Sequence, residues 1–294
     1  MVVVFWAKMD IKKLLRELEL RPHKKLGQNF LVNRHVLQQI LTTAEVGSKD
    51  TVLEIGAGLG TLTEALAEQA HRVVAVEIDQ ELVAILQERL ASFANVEIVP
   101  ADILTLDIAQ LLQEGYTGDT PSYKVVANIP YYITSAVMRH LLEAEKKPQL
   151  IVLMLQREVA QRITTQPGQM SLLAVSVQFY GQPRFITRVP AKAFYPVPKV
   201  DSAIVRIDPH EQQLLETHEI APFFDVVRAG FAQRRKQLRN ALAHGLALSV
   251  ESVAQAMMEA GIDEQRRAQT LSISEWITLY RALSGEVDRG QKRG

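Results

Sequence analysis

Thr51-Val-Leu-Glu-Ile-Gly-Ala-Gly-Leu-Gly-Thr61 is the stretch on which the fold turns. Residues 51–55 read as a buried strand ending in a glycine turn, and residues 61–69 as the helix that follows. Glycines at 56, 58 and 60 let the backbone approach a ligand at the carboxyl edge of a sheet, the usual crevice of an open α/β fold. The dinucleotide fingerprint is G-x-G-x-x-G. Here the spacing is G-x-G-x-G and position 61 is Thr, so a pyrophosphate is less favoured than a smaller amino-acid portion.

Outward from this stretch, strand-like and helix-like segments alternate. Asn33 caps a helix whose apolar residues Val36, Leu37, Ile40 and Leu41 have helical spacing. Residues 73–78 read as a second buried strand, and Asp79 caps a helix running to about residue 90. Further strands fall at 96–99, 125–127 and 150–155, with a helix at 135–142. Buried strands alternating with helices predict a mostly parallel sheet with right-handed crossovers. Residues 185–189 and 203–207 read as a closing, antiparallel pair. Between them the two prolines of residues 193–199 predict a stiff loop without regular structure. From about residue 211 the period is helical, over 223–232, 235–244, 250–260 and 273–283. The expected organisation is an α/β domain over 1–208, opening on a basic tail at 1–24, and a small all-helical domain over 209–294. Residues 113–122 read as an irregular surface loop and 285–294 as a disordered end.

With 294 residues the chain is long enough for two cores. It has no cysteine, which excludes disulfides and thiolate metal sites and fits a reducing cytoplasm. The apolar start, Met1 to Ala7, is too short for a signal sequence and reads as a frayed tail, with Met9 an alternative start. No uncharged apolar run is long enough to span a bilayer. The formal net charge is zero, but the charge is clustered. Lys8 to Lys25 carries seven basic residues against three acids, Arg184 to Arg206 five against Asp201 alone, and Arg228 to Arg239 five against none. Each cluster alone fits a solvated face; together they suit phosphate, which needs local rather than net positive charge.

The chemistry gathers at strand ends. Glu77 closes the second strand, 21 positions after Gly56, where a carboxylate accepts from both hydroxyls of a ribose. Asp102 follows the third strand and suits either an adenine amine or the cap of a helix before Ile103. These residues describe a nucleoside pocket, better fitted to a sulfonium cofactor than to NAD because no second nucleotide site is visible. Asn128-Ile129-Pro130-Tyr131 follows the fourth strand. An amide oxygen and the Ile129 carbonyl can accept both N–H bonds of an exocyclic amine while Tyr131 stacks on the base. Phe194, in the proline loop, suits the second wall of that base or a core anchor. Tyr132 reads as packing.

These residues, taken as a set, resemble the KsgA/RsmA family of ribosomal RNA adenine dimethyltransferases. The resemblance is carried by Lys25-Leu-Gly-Gln-Asn-Phe-Leu31, Glu54 to Thr63, Val76-Glu-Ile-Asp79, Asn128 to Tyr131, Ala193 to Ala203, and Phe231-Ala-Gln-Arg-Arg-Lys236 with Asn240. Position 57 is Ala where the family often has Pro. The resemblance implies a Rossmann-like class I methyltransferase sheet and S-adenosyl-L-methionine, held by Asn29, Leu31, Gly56, Gly58, Glu77, Asp102 and Asn128. It implies dimethylation at N6 of two adjacent adenines in the 3′-terminal stem-loop of 16S rRNA, within an immature small subunit. Arg234, Arg235 and Lys236 would hold RNA from a helix. No metal and no membrane are expected, and a monomer is the default. The competing readings are an Erm-type methyltransferase of large-subunit rRNA, a non-catalytic assembly factor on the same fold and, least favoured, an NAD-dependent dehydrogenase.

Overall fold

The alternation read in the sequence folds into one large sheet. In a computed structural model describing residues 11–17, 20, 22–23, 26–114, 122–233 and 235–291, the chain opens with α1 (Ile11–Glu17), β1 (Phe30–Leu31) and α2 (Arg34–Ala44). It continues through β2 (Thr51–Ile55), α3 (Thr61–Ala67), β3 (Arg72–Glu77), α4 (Gln80–Arg89), β4 (Val96–Pro100), α5 (Ile108–Gln113), β5 (Tyr123–Asn128), α6 (Thr134–Glu143) and β6 (Leu150–Gln156). Then come α7 (Arg157–Ile163), α8 (Leu172–Gln178), β7 (Gly181–Val189), β8 (Phe194–Tyr195) and β9 (Ser202–Pro209). The last helices are α9 (Thr217–Phe231), α10 (Leu238–Gly245), α11 (Val250–Glu259) and α12 (Ile273–Gln291).

The sheet order is β4-β3-β2-β5-β6-β9-β7. The first five of these strands are parallel, and β9 runs antiparallel to both β6 and β7. β2 is buried at every position, and β3, β5 and β6 nearly so, because helices cover both faces of a parallel sheet; hence the continuous apolar runs. Sequence order reverses at β2, with β3 and β4 on one side and β5 and β6 on the other, and an open α/β sheet binds its ligands at such a switch point. The edge strand β7 carries a bulge between Phe185 and Thr187 together with Pro183, Arg184 and Arg188, features that discourage pairing with another sheet.

The caps follow the sequence. Asn33 accepts from the Val36 N–H at 3.2 Å, and Asp79 from the Glu81 N–H at 3.1 Å. Several expectations need correction. The proline loop is not wholly irregular, since Phe194 and Tyr195 form β8 and pair antiparallel with β1 before Pro196 and Pro198 end the strand. The basic tail contains α1, whose buried Leu15 clusters with Phe30, Leu59 and Leu82. Residues 1–10 and 115–121 lie outside the described residues, so the apolar start and most of the expected loop are not described. α12 continues to Gln291 rather than ending near 283.

The chain divides into two units, the first over Met1–Gln161 and Gly181–Pro209, the second over Arg162–Tyr180 and His210–Gly294. The last of the three cuts lies between Pro209 and His210, beside the expected 208–209 boundary, and the helical unit also takes in the excursion at Arg162–Tyr180. Its reason is aromatic. Phe179 stacks on Phe223 at 4.8 Å between ring centroids and meets Phe224 edge-on at 5.2 Å, so this stretch completes the core of the helical unit. The Arg235 region is a turn and not the start of a helix: Lys236 N–H donates to Gln233 O, and α10 begins only at Leu238, whose N–H donates to Arg266 O.

Candidate active site

One cavity opens at the carboxyl ends of β2, β3, β4 and β5. The expected residues Asn29, Leu31, Gly56, Gly58, Glu77, Asp102, Asn128, Ile129, Pro130, Tyr131 and Phe194 all line it. The basic run belongs to the second unit, and Arg234 lies outside the described residues.

The glycine loop forms one wall. Gly56, Gly58 and Gly60 have φ of 73°, 60° and 77°, a left-handed region open to glycine at little cost. A Cβ at Gly58 would stand 3.4 Å from the Phe30 ring, so the bare backbone keeps the wall low. Glu77 is fixed by the same loop. One carboxylate oxygen accepts from the Gly58 N–H at 2.8 Å, and the other from the Ile78 and Asp79 N–H groups at 2.9 and 3.0 Å. Burial nevertheless pushes its pKa up, these three bonds offsetting part of the effect. One oxygen of Asp102 caps the following turn, accepting from the Leu104 N–H at 3.0 Å, and the residue lines the cavity.

The opposite wall is the Asn128 turn. The Asn128 amide Nδ2 donates to the Asn29 carbonyl at 3.2 Å, which leaves its Oδ1 as the acceptor that can face the cavity. Asn29 is itself tied to Gly27 O at 2.9 Å. The Tyr131 Oη lies 2.7 Å from the Oγ of Ser202, a fully buried residue of β9, and burial pushes the phenol's pKa up. Phe194 is 2% exposed, belongs to the apolar core around Leu31 and contributes to the cavity lining. Leu31 and Phe194 are direct partners in the β1–β8 ladder. Tyr132 is corrected from packing to surface, being 62% exposed at the cavity lining.

Sequence reasoning missed several lining residues. Gln28 ties the segment before β1 to α4, donating to Asp79 Oδ2 at 2.7 Å; it was visible only as part of a matching motif. Glu54 is 1% exposed, its Oε2 has no hydrogen-bond partner among the described residues, and burial raises its pKa to about 8. Thr61 Oγ1 is likewise buried and unpartnered. The signal was present, since an acid inside a wholly buried strand calls for a partner. Orphaned polar atoms beside a glycine cradle fit a ligand that brings its own polar and cationic groups, as a sulfonium nucleoside with an amino-acid tail does.

The charge clusters are unequal. Arg184 pairs with Asp208, Arg188 with Asp201, and Arg206 with Glu45 and Asp208, so the arginines of the 184–206 run are neutralised within the first unit. Arg228 pairs with Asp225 and Arg239 with Glu264. Arg235 and Lys236 are exposed and make no ion pair among the described residues.

A mostly parallel sheet of this order, with a glycine cradle and a carboxylate at successive strand ends, defines a Rossmann-like class I methyltransferase fold. Comparison with known proteins narrows the class. Residues 19–284 match the family model described as ribosomal RNA adenine dimethylase, and the chain belongs to that family. Proteins named ribosomal RNA small subunit methyltransferase A are similar along nearly their whole length. The one from Dehalococcoides mccartyi is 48% identical over 91% of this chain and 90% of its own, and the one from Moorella thermoacetica 43% over 92% and 95%. Among solved structures, the 23S rRNA methyltransferase ErmE is 31% identical with a TM-score of 0.70, covering 87% of this chain and all of its own. A dimethyladenosine transferase from Plasmodium falciparum superposes with a TM-score of 0.74 at 22% identity, covering 88% and 98%, a likeness of fold.

Proposed function

We propose that this protein dimethylates N6 of two adjacent adenines in the 3′-terminal stem-loop of 16S rRNA during assembly of the small subunit. The observation that carries the reading is the tethered Asn128, whose amide is oriented by the Asn29 carbonyl within the cavity that also holds Glu77 and Asp102. The small-subunit relatives, more similar than ErmE, favour 16S over 23S rRNA.

S-adenosylmethionine supplies a methyl group already activated by its sulfonium. Gly56 and Gly58 would admit it to the backbone, Glu77 would accept from its ribose hydroxyls and Asp102 from its adenine amine, and Asn29 and Leu31 would help to hold it. Asn128 Oδ1 and the Ile129 carbonyl accept the two N–H bonds of the target amine. That turns its lone pair, otherwise delocalised into the ring, toward the methyl group. No base is needed before attack, because the proton leaves once the methylated amine has become acidic. Pro130 sets the turn, and Tyr131 and Phe194 flank the base. Stacking worth roughly 1–3 kcal/mol per base matches the few kcal/mol needed to unstack one. Arg234, Arg235 and Lys236 bind rRNA phosphates.

The test is Asn128→Ala. Methyl transfer to unmethylated small subunits, measured at saturating donor, should fall by on the order of a hundredfold or more, the usual size of one lost preorganised contact, with subunit binding retained. Transfer at near wild-type rate would remove Asn128 from the mechanism.

A further inference from the structure

We propose that Tyr132 is a stacking platform for the nucleotide next to the target base, a second base subsite on the rim of the cavity. The inference rests on the reading of the cavity as an adenine-N6 methylation site.

Tyr131 to Ile133 form a single 3-10 turn. With three residues per turn, neighbouring side chains point about 120° apart. Tyr131 therefore turns inward, where Ser202 holds its hydroxyl, and Tyr132 must turn elsewhere. It lies at the cavity lining but is 62% exposed, and no hydrogen bond of its hydroxyl is found among the described residues. The ring is supported from one side. Gly27 has φ of 63°, and a Cβ there would stand 3.5 and 3.6 Å from two ring carbons, so bare backbone lies alongside it. The open face of this ring, at the mouth of a base-binding cavity, is available to a second planar group.

The substrate has such a cover to offer. Drawing one base into the cavity breaks its stack with the neighbour and leaves that neighbour with a bare face. Any base can restack on a tyrosine ring, since stacking needs no particular hydrogen-bond pattern. When the two targets are adjacent, one adenine can rest on Tyr132 while the other reacts.

The test compares Tyr132→Ala and Tyr132→Phe on small subunits carrying unmethylated 16S rRNA, with donor binding measured separately. The Ala variant should raise KM for the subunit about tenfold, and Phe should stay within about twofold of wild type, with donor affinity unchanged in both. An Ala variant with wild-type KM would overturn the platform, as would a Phe variant as impaired as Ala or a loss of donor affinity. If the wild-type protein transfers no methyl group to small-subunit rRNA, the underlying reading fails along with it; an active wild type with an unaffected Ala variant sinks the platform alone.

Discussion

Glu54 shows how a single buried residue couples a ligand site to stability. Its carboxyl sits in the wholly buried β2, and desolvation, with the like charge of Glu77 adding, lifts its pKa from an ordinary 4.5 to about 8 despite the nearby Thr63 hydroxyl. Between those values the folded chain keeps a proton that the unfolded chain has already released. Stability of the free protein should therefore fall as pH rises from about 4.5 to about 8. Glu54→Gln, which cannot ionise, should flatten that decline in thermal melts across the range. A variant with the same slope as wild type would show that Glu54 is not the group responsible. Other residues lining the cavity are tethered: Asn128 to the Asn29 carbonyl, Tyr131 to Ser202, and Glu77 to three backbone N–H groups. A clamp fixed before its ligands arrive needs no rearrangement at the moment of reaction.

Among the elements, α9 and α12 meet where Gly230 faces Trp276. A Cβ at Gly230 would lie 2.5 Å from the buried indole ring and 3.0 Å from Leu238. Alanine is the better helix former by about 1 kcal/mol, but overpacking a core costs about 1–3 kcal/mol. Gly230→Ala should thus lower the melting temperature of the helical unit, and a rise would mean that propensity outweighs packing there. The same scale separates what could be read in advance from what could not. β2 with its glycine loop was legible to the residue, because a continuous apolar run followed by three spaced glycines admits few other readings. Glu77 and Asp102 were legible as strand-end acids. The pairing of Leu31 with Phe194 was not, since strands of two residues have no periodicity. The short helices α7 and α8 were missed for a similar reason, as seven residues barely complete two turns. The basic run was misread as helical because its local composition carries no sign of the bond from Leu238 to Arg266 that delays α10.

The whole molecule is electrically neutral, so its grip on a polyanion depends on which cations remain free. The arginines at 184, 188, 206, 228 and 239 are paired with acids, whereas Arg235 and Lys236 are exposed in the turn between α9 and α10. Reversing both to Glu should weaken rRNA binding and make the plot of log affinity against log salt shallower by about two units, with donor affinity unchanged. An unchanged slope would place the phosphate contacts elsewhere. The central claim concerns the reaction itself. Its most direct test is to incubate the protein with labelled S-adenosylmethionine and with unmethylated small and large subunits in separate reactions, then map modified bases by mass spectrometry. The account predicts N6,N6-dimethyladenosine at two adjacent positions of the 3′-terminal stem-loop of 16S rRNA. Methyl groups on large-subunit rRNA alone, or on neither, would contradict it.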